Sequence, residues 1–376
     1  MSHKLLLSIL LISAVALTTC NLPSNGKLPV LPTATLGIST LSPATATYPP
    51  PVAMPTITPL PKAITPTPLM PPPSKGSSPY LDDRSNPVTL ISSYFNAVNR
   101  KEYLRAYSYW RDPETALGTL TNFTNGYANT ASVTLVFGTI TGDAGAGQMY
   151  YTVPVRLKGI APNGVHSDYA ACYVVHLSQP GFYGAPPITP MNIDRGTAEP
   201  VNVNAADADV LAETCTGPDY PISSPVSVGP SSLDISKNNY LDNRSDPIAT
   251  VSSYLNALNS KQYVRAYSYS QTPASEFGPY SSYEAGYADT DVITVTFGTV
   301  LSDAGAGNLT YKVPLAMKVL TTSAATQTYV GCFTLLLSQP GVQGVYPFQP
   351  MGLTASKFKA VANNVDIHPL LATACN

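Results

Sequence analysis

Residues Asn86–Trp110 read NPVTLISSYFNAVNRKEYLRAYSYW, and the chain returns to the same pattern at Asp246–Ser270, DPIATVSSYLNALNSKQYVRAYSYS. Val88, Ile91, Phe95 and Val98 recur at i, i+3, i+7 and i+10, as do Ile248, Val251, Leu255 and Leu258 in the second copy. That period puts an apolar stripe on an amphipathic helix. Asn86 and Asp246 suit the N-cap, and Pro87 and Pro247 fall at the first helical position, where the missing N–H costs nothing. Asn99 and Asn259 are expected to end the helix, because asparagine tolerates left-handed backbone. A second helix follows, with Tyr103, Ala106, Tyr107 and Trp110 on one face and Tyr263, Ala266, Tyr267 and Ser270 on its counterpart. A third helical turn is expected near residues 123–127 and 283–287.

Outward from this stretch, Tyr80–Cys215 aligns with Tyr240–Cys375 without a gap and is identical at roughly 40% of positions. A repeat of that length is a duplicated domain, not a solenoid unit. After the helices the apolar period falls to two. Val133, Leu135 and Phe137 share one face of a strand, as do Ile293, Val295 and Phe297. Met149, Tyr151, Val153, Val155 and Leu157 mark a second strand, and Pro154 and Pro314 within it predict a bulge, bend or sheet edge. Tyr169, Ala171, Tyr173, Val175 and Leu177 mark a third, with Cys172 on its other face, and a last strand is expected near residues 191–193 and 351–353. The loop Asp143-Ala144-Gly145-Ala146-Gly147, repeated at Asp303–Gly307, reads as a hairpin turn. No lysine or helix follows it, as a phosphate-cradling loop would require. Helices followed by antiparallel strands define an α+β fold.

The 376 residues carry only 11% charged side chains and a net charge of −2, so the electrostatic footprint of a nucleic-acid binder is missing. At the N-terminus Lys4 precedes a mainly apolar run, Leu5–Leu17, too short for a membrane span but suited to a signal peptide. Leu17-Thr18-Thr19-Cys20 resembles a bacterial lipobox, with Thr19 departing from the usual Gly, Ala or Ser. That resemblance implies lipidation of Cys20 and anchoring to the extracytoplasmic face of the cell membrane; simple cleavage is the alternative, and both mean export. Four further cysteines, Cys172, Cys215, Cys332 and Cys375, are spaced by 43 in both copies. An even set in an exported chain implies disulfides; of three connectivities, duplication favours Cys172–Cys215 and Cys332–Cys375. No CxxC occurs and the histidines do not recur between copies, so neither a metal site nor a cofactor is expected. The expected layout is a signal peptide over 1–20, a Pro/Thr/Ser-rich extended linker over 21–79, domains over 80–216 and 240–376, and a linker over 217–239.

The segment SSYFNAVNRKEYLRAYSYW resembles the opening helix pair of the nuclear transport factor 2-like (cystatin-like) superfamily, whose members often begin with a YxxAxNxxD/E-like segment. The resemblance implies helices packed into the concavity of a curved antiparallel sheet, a cone with a pocket, here as a tandem pair. Tyr94, Tyr103, Tyr107 and Trp110, with Tyr254, Tyr263 and Tyr267, then become the candidate pocket wall. Such a pocket suits a small apolar ligand, a glycan or a peptide. Isomerases and dehydratases of the superfamily use a first-helix tyrosine with a carboxylate or histidine; Tyr94 and Tyr254 match the tyrosine, and His176 is the base to test. His166, Asp168 and His176 occur only in the first copy. Asp82, Arg84 and Arg105 recur as Asp242, Arg244 and Arg265 and are expected to clamp the lead-in segment to the second helix; an anion-receiving arginine is the alternative. No GxSxG nucleophile motif is present. The expected function is a non-catalytic binding module, with an isomerase-type enzyme in the first domain or an envelope spacer as alternatives; the oligomeric state is left open.

Overall fold

The computed structural model describes residues 78–217, 220, 224–229 and 232–376. Cys20, the signal segment and the linker as far as residue 77 lie outside the described residues. The first half runs α1 (Pro87–Asn99), α2 (Tyr103–Tyr107), α3 (Pro113–Leu117), α4 (Leu120–Gly126), β1 (Ser132–Phe137), β2 (Thr141–Gly145), β3 (Gln148–Ile160), β4 (His166–Ser178), β5 (Asn192–Val201) and α5 (Asp207–Glu213). A two-residue strand, β6 (Ser224–Pro225), precedes the second half. That half runs α6 (Pro247–Asn259), α7 (Tyr263–Tyr267), α8 (Pro273–Glu276), α9 (Tyr280–Gly286), β7 (Thr290–Phe297), β8 (Leu301–Gly305), β9 (Asn308–Thr321), β10 (Thr326–Ser338), β11 (Gly352–Val361) and α10 (His368–Leu371). The fold is α+β with two antiparallel sheets, ordered β5-β4-β3-β2-β6 with β1 also on β3, and β11-β10-β9-β7 with β8 also on β9.

The caps act as the sequence predicts. Asn86 Oδ1 accepts from the Thr89 N–H at 2.9 Å, and Asp246 Oδ1 accepts from the Ala249 N–H at 2.8 Å. The helix ends differ from expectation: the left-handed residues are Lys101 (φ 62°) and Lys261 (φ 56°), two places beyond the asparagines. Asn99 is spent elsewhere. Its amide donates to the Val133 carbonyl at 2.9 Å and accepts from the Val133 N–H at 2.7 Å, so it pairs with the strand as a backbone unit would. Asn259 does the same with Ile293, at 3.0 and 2.8 Å.

Pro154 creates no bulge in β3, which stays in register with β4 from Gln148 to Ile160. It sits where the other neighbour of β3 changes from β2 to β1, between Thr152↔Thr141 and Val155↔Phe137. Its missing N–H therefore interrupts no ladder, and its carbonyl accepts from the Gly138 N–H at 2.8 Å. Pro314 occupies the equivalent gap between β8 and β7. The register shifts lie instead between β4 and β5, at Val174/Val175, between β10 and β11, at Thr334/Leu335, and between β7 and β9, at Thr290/Val292. The β2–β3 hairpin turns on Ala146 (φ 50°) and Gly147 (φ 76°), as β8–β9 does on Ala306 and Gly307. Two successive left-handed residues match the twist of a tight hairpin.

One face of each sheet packs on the helices. Leu90, Ile91, Phe95 and Val98 of α1 join Val153, Val155, Ala171, Tyr173 and Val175 in the first core. The other face carries Cys172, bonded to Cys215 with Cα atoms 5.2 Å apart; Cys332–Cys375 is its counterpart at 5.1 Å. Both expected pairings are present, and they fit an oxidising, extracytoplasmic setting. On this face Arg156, 1% exposed, bonds Asp168 Oδ2 at 2.7 Å and Asp207 Oδ1 at 2.9 Å, fastening α5 to the sheet. Lys158 reaches Asp207 as well, at 2.8 Å. The second half replaces this network with an apolar cluster of Ala316, Val330 and Leu371.

The two halves join through their lead-in segments. Asp83 and Asn243 form an antiparallel bridge; the Arg84 N–H donates to the Asp242 carbonyl at 2.7 Å and the Arg244 N–H to the Asp82 carbonyl at 2.6 Å. Ser245 Oγ accepts from the Asp82 N–H at 2.8 Å and Ser85 Oγ from the Asp242 N–H at 2.9 Å. Each contact has a reciprocal 160 residues away, the self-complementarity of a two-fold dimer within one chain. The described residues of the expected linker, among them Pro225, Val228 and Ile235, are built into both halves. Pro225 pairs with Thr141, Val228 packs on the first core and Ile235 on the second. Asn256 donates to the Ser236 and Asn239 carbonyls at 2.8 and 3.0 Å. Every residue from Ala249 to Asn259 is consequently buried, whereas α1 keeps a partly exposed face.

Candidate functional site

The arginine alternatives resolve first. Arg105 is 1% exposed and donates to the Leu81 carbonyl at 2.5 Å, to Asn96 Oδ1 at 2.9 Å and to Glu102 Oε2 at 2.7 Å, with its guanidinium stacked on Tyr80 at 4.6 Å. Asp82 Oδ1 accepts from the Tyr109 hydroxyl at 2.7 Å. Arg265 repeats the arrangement on Leu241, Asn256 and Gln262. These are the expected clamps between lead-in segment and second helix, and their donors are consumed by the protein itself.

The tyrosines are distributed differently from expectation. Tyr94 (2% exposed), Tyr107 (5%) and Trp110 (6%) are core residues. Tyr94 meets Phe95, Trp110, Phe123 and Tyr173 edge-on or tilted, with centroids 4.7–6.5 Å apart. The Tyr107 hydroxyl donates to the Gly118 carbonyl at 2.7 Å, and Tyr267 does so to Gly278 at 2.7 Å. Tyr103 and Tyr263 stack on Tyr127 and Tyr287 at 6.3 and 6.2 Å. Four helices filling one sheet face leave these rings packed on one another; of the seven, Tyr254 lines one of the two clefts described next.

Open space lies further along the helix-covered face, past the end of α4. In the first half a cleft of about 420 Å³ is bounded by Phe95, Tyr127, Val133, Leu157, Tyr169 and Ala198. In the second half a cleft of about 310 Å³ is bounded by Tyr254, Tyr287, Ile293, Met317, Tyr329 and Phe358. Five of these pairs are counterparts, so the same architecture makes both clefts. Phe358 and Val319 stand where the first half has Ala198 and Gly159, which accounts for the smaller second cleft. Tyr127 and Tyr287, present in both copies but outside the expected wall, cap α4 and α9 at the edge of these clefts.

Tyrosine hydroxyls supply the polar groups at the inner edge. Tyr94 and Tyr127 hydroxyls are 3.0 Å apart, and Tyr254 and Tyr287 hydroxyls 2.8 Å apart, with the Tyr283 hydroxyl donating to Tyr254 at 3.4 Å. Burial, reinforced by the neighbouring tyrosine, raises the Tyr94 and Tyr254 pKa values well above the ordinary phenol value. These groups stay neutral: they exchange hydrogen bonds and do not act as bases at physiological pH.

The proposed catalytic pair is not brought together. His176 and Tyr173 have opposite parity on β4, so His176 lies on the sheet face away from Tyr94. Its Nε2 is 2.6 Å from Gln148 Oε1, its ring lies 4.6 Å from Tyr150, and burial, with Arg111 nearby, lowers its pKa. Asp168 is on that far face too, paired with Arg156, and His166 is exposed at the strand start. Among the described residues no three His, Cys, Asp or Glu side chains gather as a metal site, and no helix is long and apolar enough to cross a membrane. No protein-family model, curated protein or solved structure matches the chain.

Proposed function

We propose that the chain is an exported, lipid-anchored protein whose tandem cone-like domains, akin to the nuclear transport factor 2-like superfamily, hold small apolar ligands without converting them. The observation that carries this reading is the pair of equivalent clefts, each walled mainly by aliphatic and aromatic side chains with a few uncharged polar ones, and each offering a neutral tyrosine hydroxyl. Apolar walls reward a ligand by burial, at about 25 cal/mol per Å² removed from water, and one or two hydroxyls orient it. A general base is what an isomerase would add, and neither cleft lining contains a carboxylate or imidazole. In this reading Cys20 carries the lipid and the proline-rich segment holds the domains away from the membrane.

A ligand-stabilisation screen on the exported chain tests this against glycans, peptides and small apolar molecules. One- and two-ring apolar molecules should raise the melting temperature by mass action, and glycans should not. Stabilisation by glycans alone would move recognition off the clefts, and no shift with any class would favour a spacer. Membrane attachment is checked by fractionation: replacing Cys20 with alanine should release the protein from the membrane.

A further inference from the structure

A different crevice, about 280 Å³, opens where the halves meet. Ile188 and Pro190 of the first half face Tyr240, Asp242, Arg244 and Ser268 of the second across it. Each of these has a counterpart 160 residues away, and at the counterpart place the chain supplies its own occupant. Phe348, the counterpart of Ile188, is 7% exposed and belongs to the buried cluster that holds Tyr80 and Leu104 of the first half. Its N–H donates to Ser108 Oγ across the junction at 2.9 Å. Beside it the Tyr80 hydroxyl donates to Asp82 Oδ2 at 3.2 Å, and Arg84 reaches the Met191 and Ser108 carbonyls at 3.0 and 3.1 Å.

On the Ile188 side the same groups are only partly engaged. Ile188 is only half-buried. Ser268 Oγ donates to the Arg265 carbonyl at 2.7 Å, but no described donor reaches it. Asp242 Oδ1 accepts from Tyr269 at 2.8 Å and lies 3.6 Å from Arg244 Nε, whereas among the described residues nothing donates to Oδ2 or hydrogen-bonds the Tyr240 hydroxyl. Arg244 reaches its two carbonyls only at 3.3 and 3.5 Å. The filled side holds an aromatic residue whose nitrogen sits on a serine hydroxyl; the open side repeats the serine, beside a carboxylate and a guanidinium that pair loosely with each other at 3.6 Å.

We infer that this crevice receives an aromatic amino-acid group: the ring against Ile188 and Pro190, the amino nitrogen on Ser268 Oγ and Asp242 Oδ2, and the carboxylate or carbonyl on Arg244. A free aromatic amino acid and the N-terminal residue of a peptide present the same ring and ammonium, and differ at the carboxylate. The test titrates L-phenylalanine and the peptide Phe-Gly-Gly into the full chain by calorimetry, with the Ile188→Phe and Ala198→Phe variants alongside. Saturable binding of one equivalent by either probe is expected, and the stronger probe identifies the source. Ile188→Phe, which installs the plug already tolerated at Phe348, should weaken binding at least tenfold without lowering the melting temperature. Ala198→Phe, which alters only the cleft described above, should leave it unchanged. Absence of saturable binding by both probes, or equal affinity in wild type and Ile188→Phe, would overturn the assignment.

Discussion

Replacing Arg105 with methionine removes a guanidinium that is 1% exposed while keeping most of its aliphatic volume. The Leu81 carbonyl and the Glu102 carboxylate then each lose a donor at 2.5 and 2.7 Å, and Asn96 Oδ1 keeps only the Leu81 N–H at 3.1 Å. Glu102 keeps Arg100 Nε at 2.8 Å, so its charge stays paired, and each orphaned buried acceptor costs about 1–3 kcal/mol. Because the acceptors share one site, these do not simply add, and a loss of about 4 kcal/mol is expected. For a body this size that corresponds to a fall in melting temperature of about 6 °C. The chain has a single tryptophan, Trp110, buried in the first core, so its fluorescence in a urea titration reports the first half, while far-UV circular dichroism reports both. Arg265→Met makes the parallel lesion in the second half. Since the lead-in segments are bonded to each other through Arg84 and Arg244, it should shift the Trp110 transition as well. A loss below about 1 kcal/mol for Arg105→Met would put the clamp in the class of surface pairs and refute its burial as the cause. A Trp110 transition unmoved by Arg265→Met would refute the coupling of the halves.

Three further outcomes follow from the same structure. Intact-mass measurement after alkylation without reductant should show four protected cysteines, and removing either disulfide as a double alanine variant should cost about 4 kcal/mol in urea for a closed loop of this length. Asn99→Ala should cost about 1–3 kcal/mol, measured by the same titration, because Val133 loses partners for both its N–H and its C=O. Tyr94, Tyr173 and Tyr254 have folded pKa values raised well above 10.0 by burial. Their contribution is therefore fully present below pH 10 and is lost as pH rises above it, since the unfolded chain releases those protons first. Stability should decline steeply above pH 10, and Tyr94→Phe should lessen the slope.

Much of the fold was legible because it rests on short-range rules. Asn86, Asp246 and the prolines after them announce the first helices, and the period-two runs announce β1, β3 and β4. The repeat distance chose the disulfide pairing among three. Features set by contacts distant in sequence were not legible. Asn99 looked like a helix terminator, but its amide could be understood only with Val133 in place. Pro154 looked disruptive until the switch of strand neighbours beside it was visible. The aromatic helix face suggested a pocket wall because aromatic rings look alike whether they fill a core or line a cavity. Only the three-dimensional packing separates Tyr94, walled in by four rings, from Tyr127, which edges the cleft. Tyr127 and Tyr287 could have been singled out as tyrosines kept in both copies, at the ends of the helical turns expected at 123–127 and 283–287.

The binding reading stands or falls with occupancy of the two clefts, and Ala198 offers a clean lever on one of them. Phe358 at the counterpart position, with its ring 4.8 Å from Phe333, shows that this backbone carries a phenylalanine there. Titration of 2-naphthol, a two-ring apolar probe with one hydroxyl, should give two equivalents per chain for the wild type. With Ala198→Phe the stronger site should weaken at least tenfold while the second-half site is unaffected. Absence of saturable binding, or an isotherm unchanged by Ala198→Phe, would contradict a role for these clefts in holding ligands.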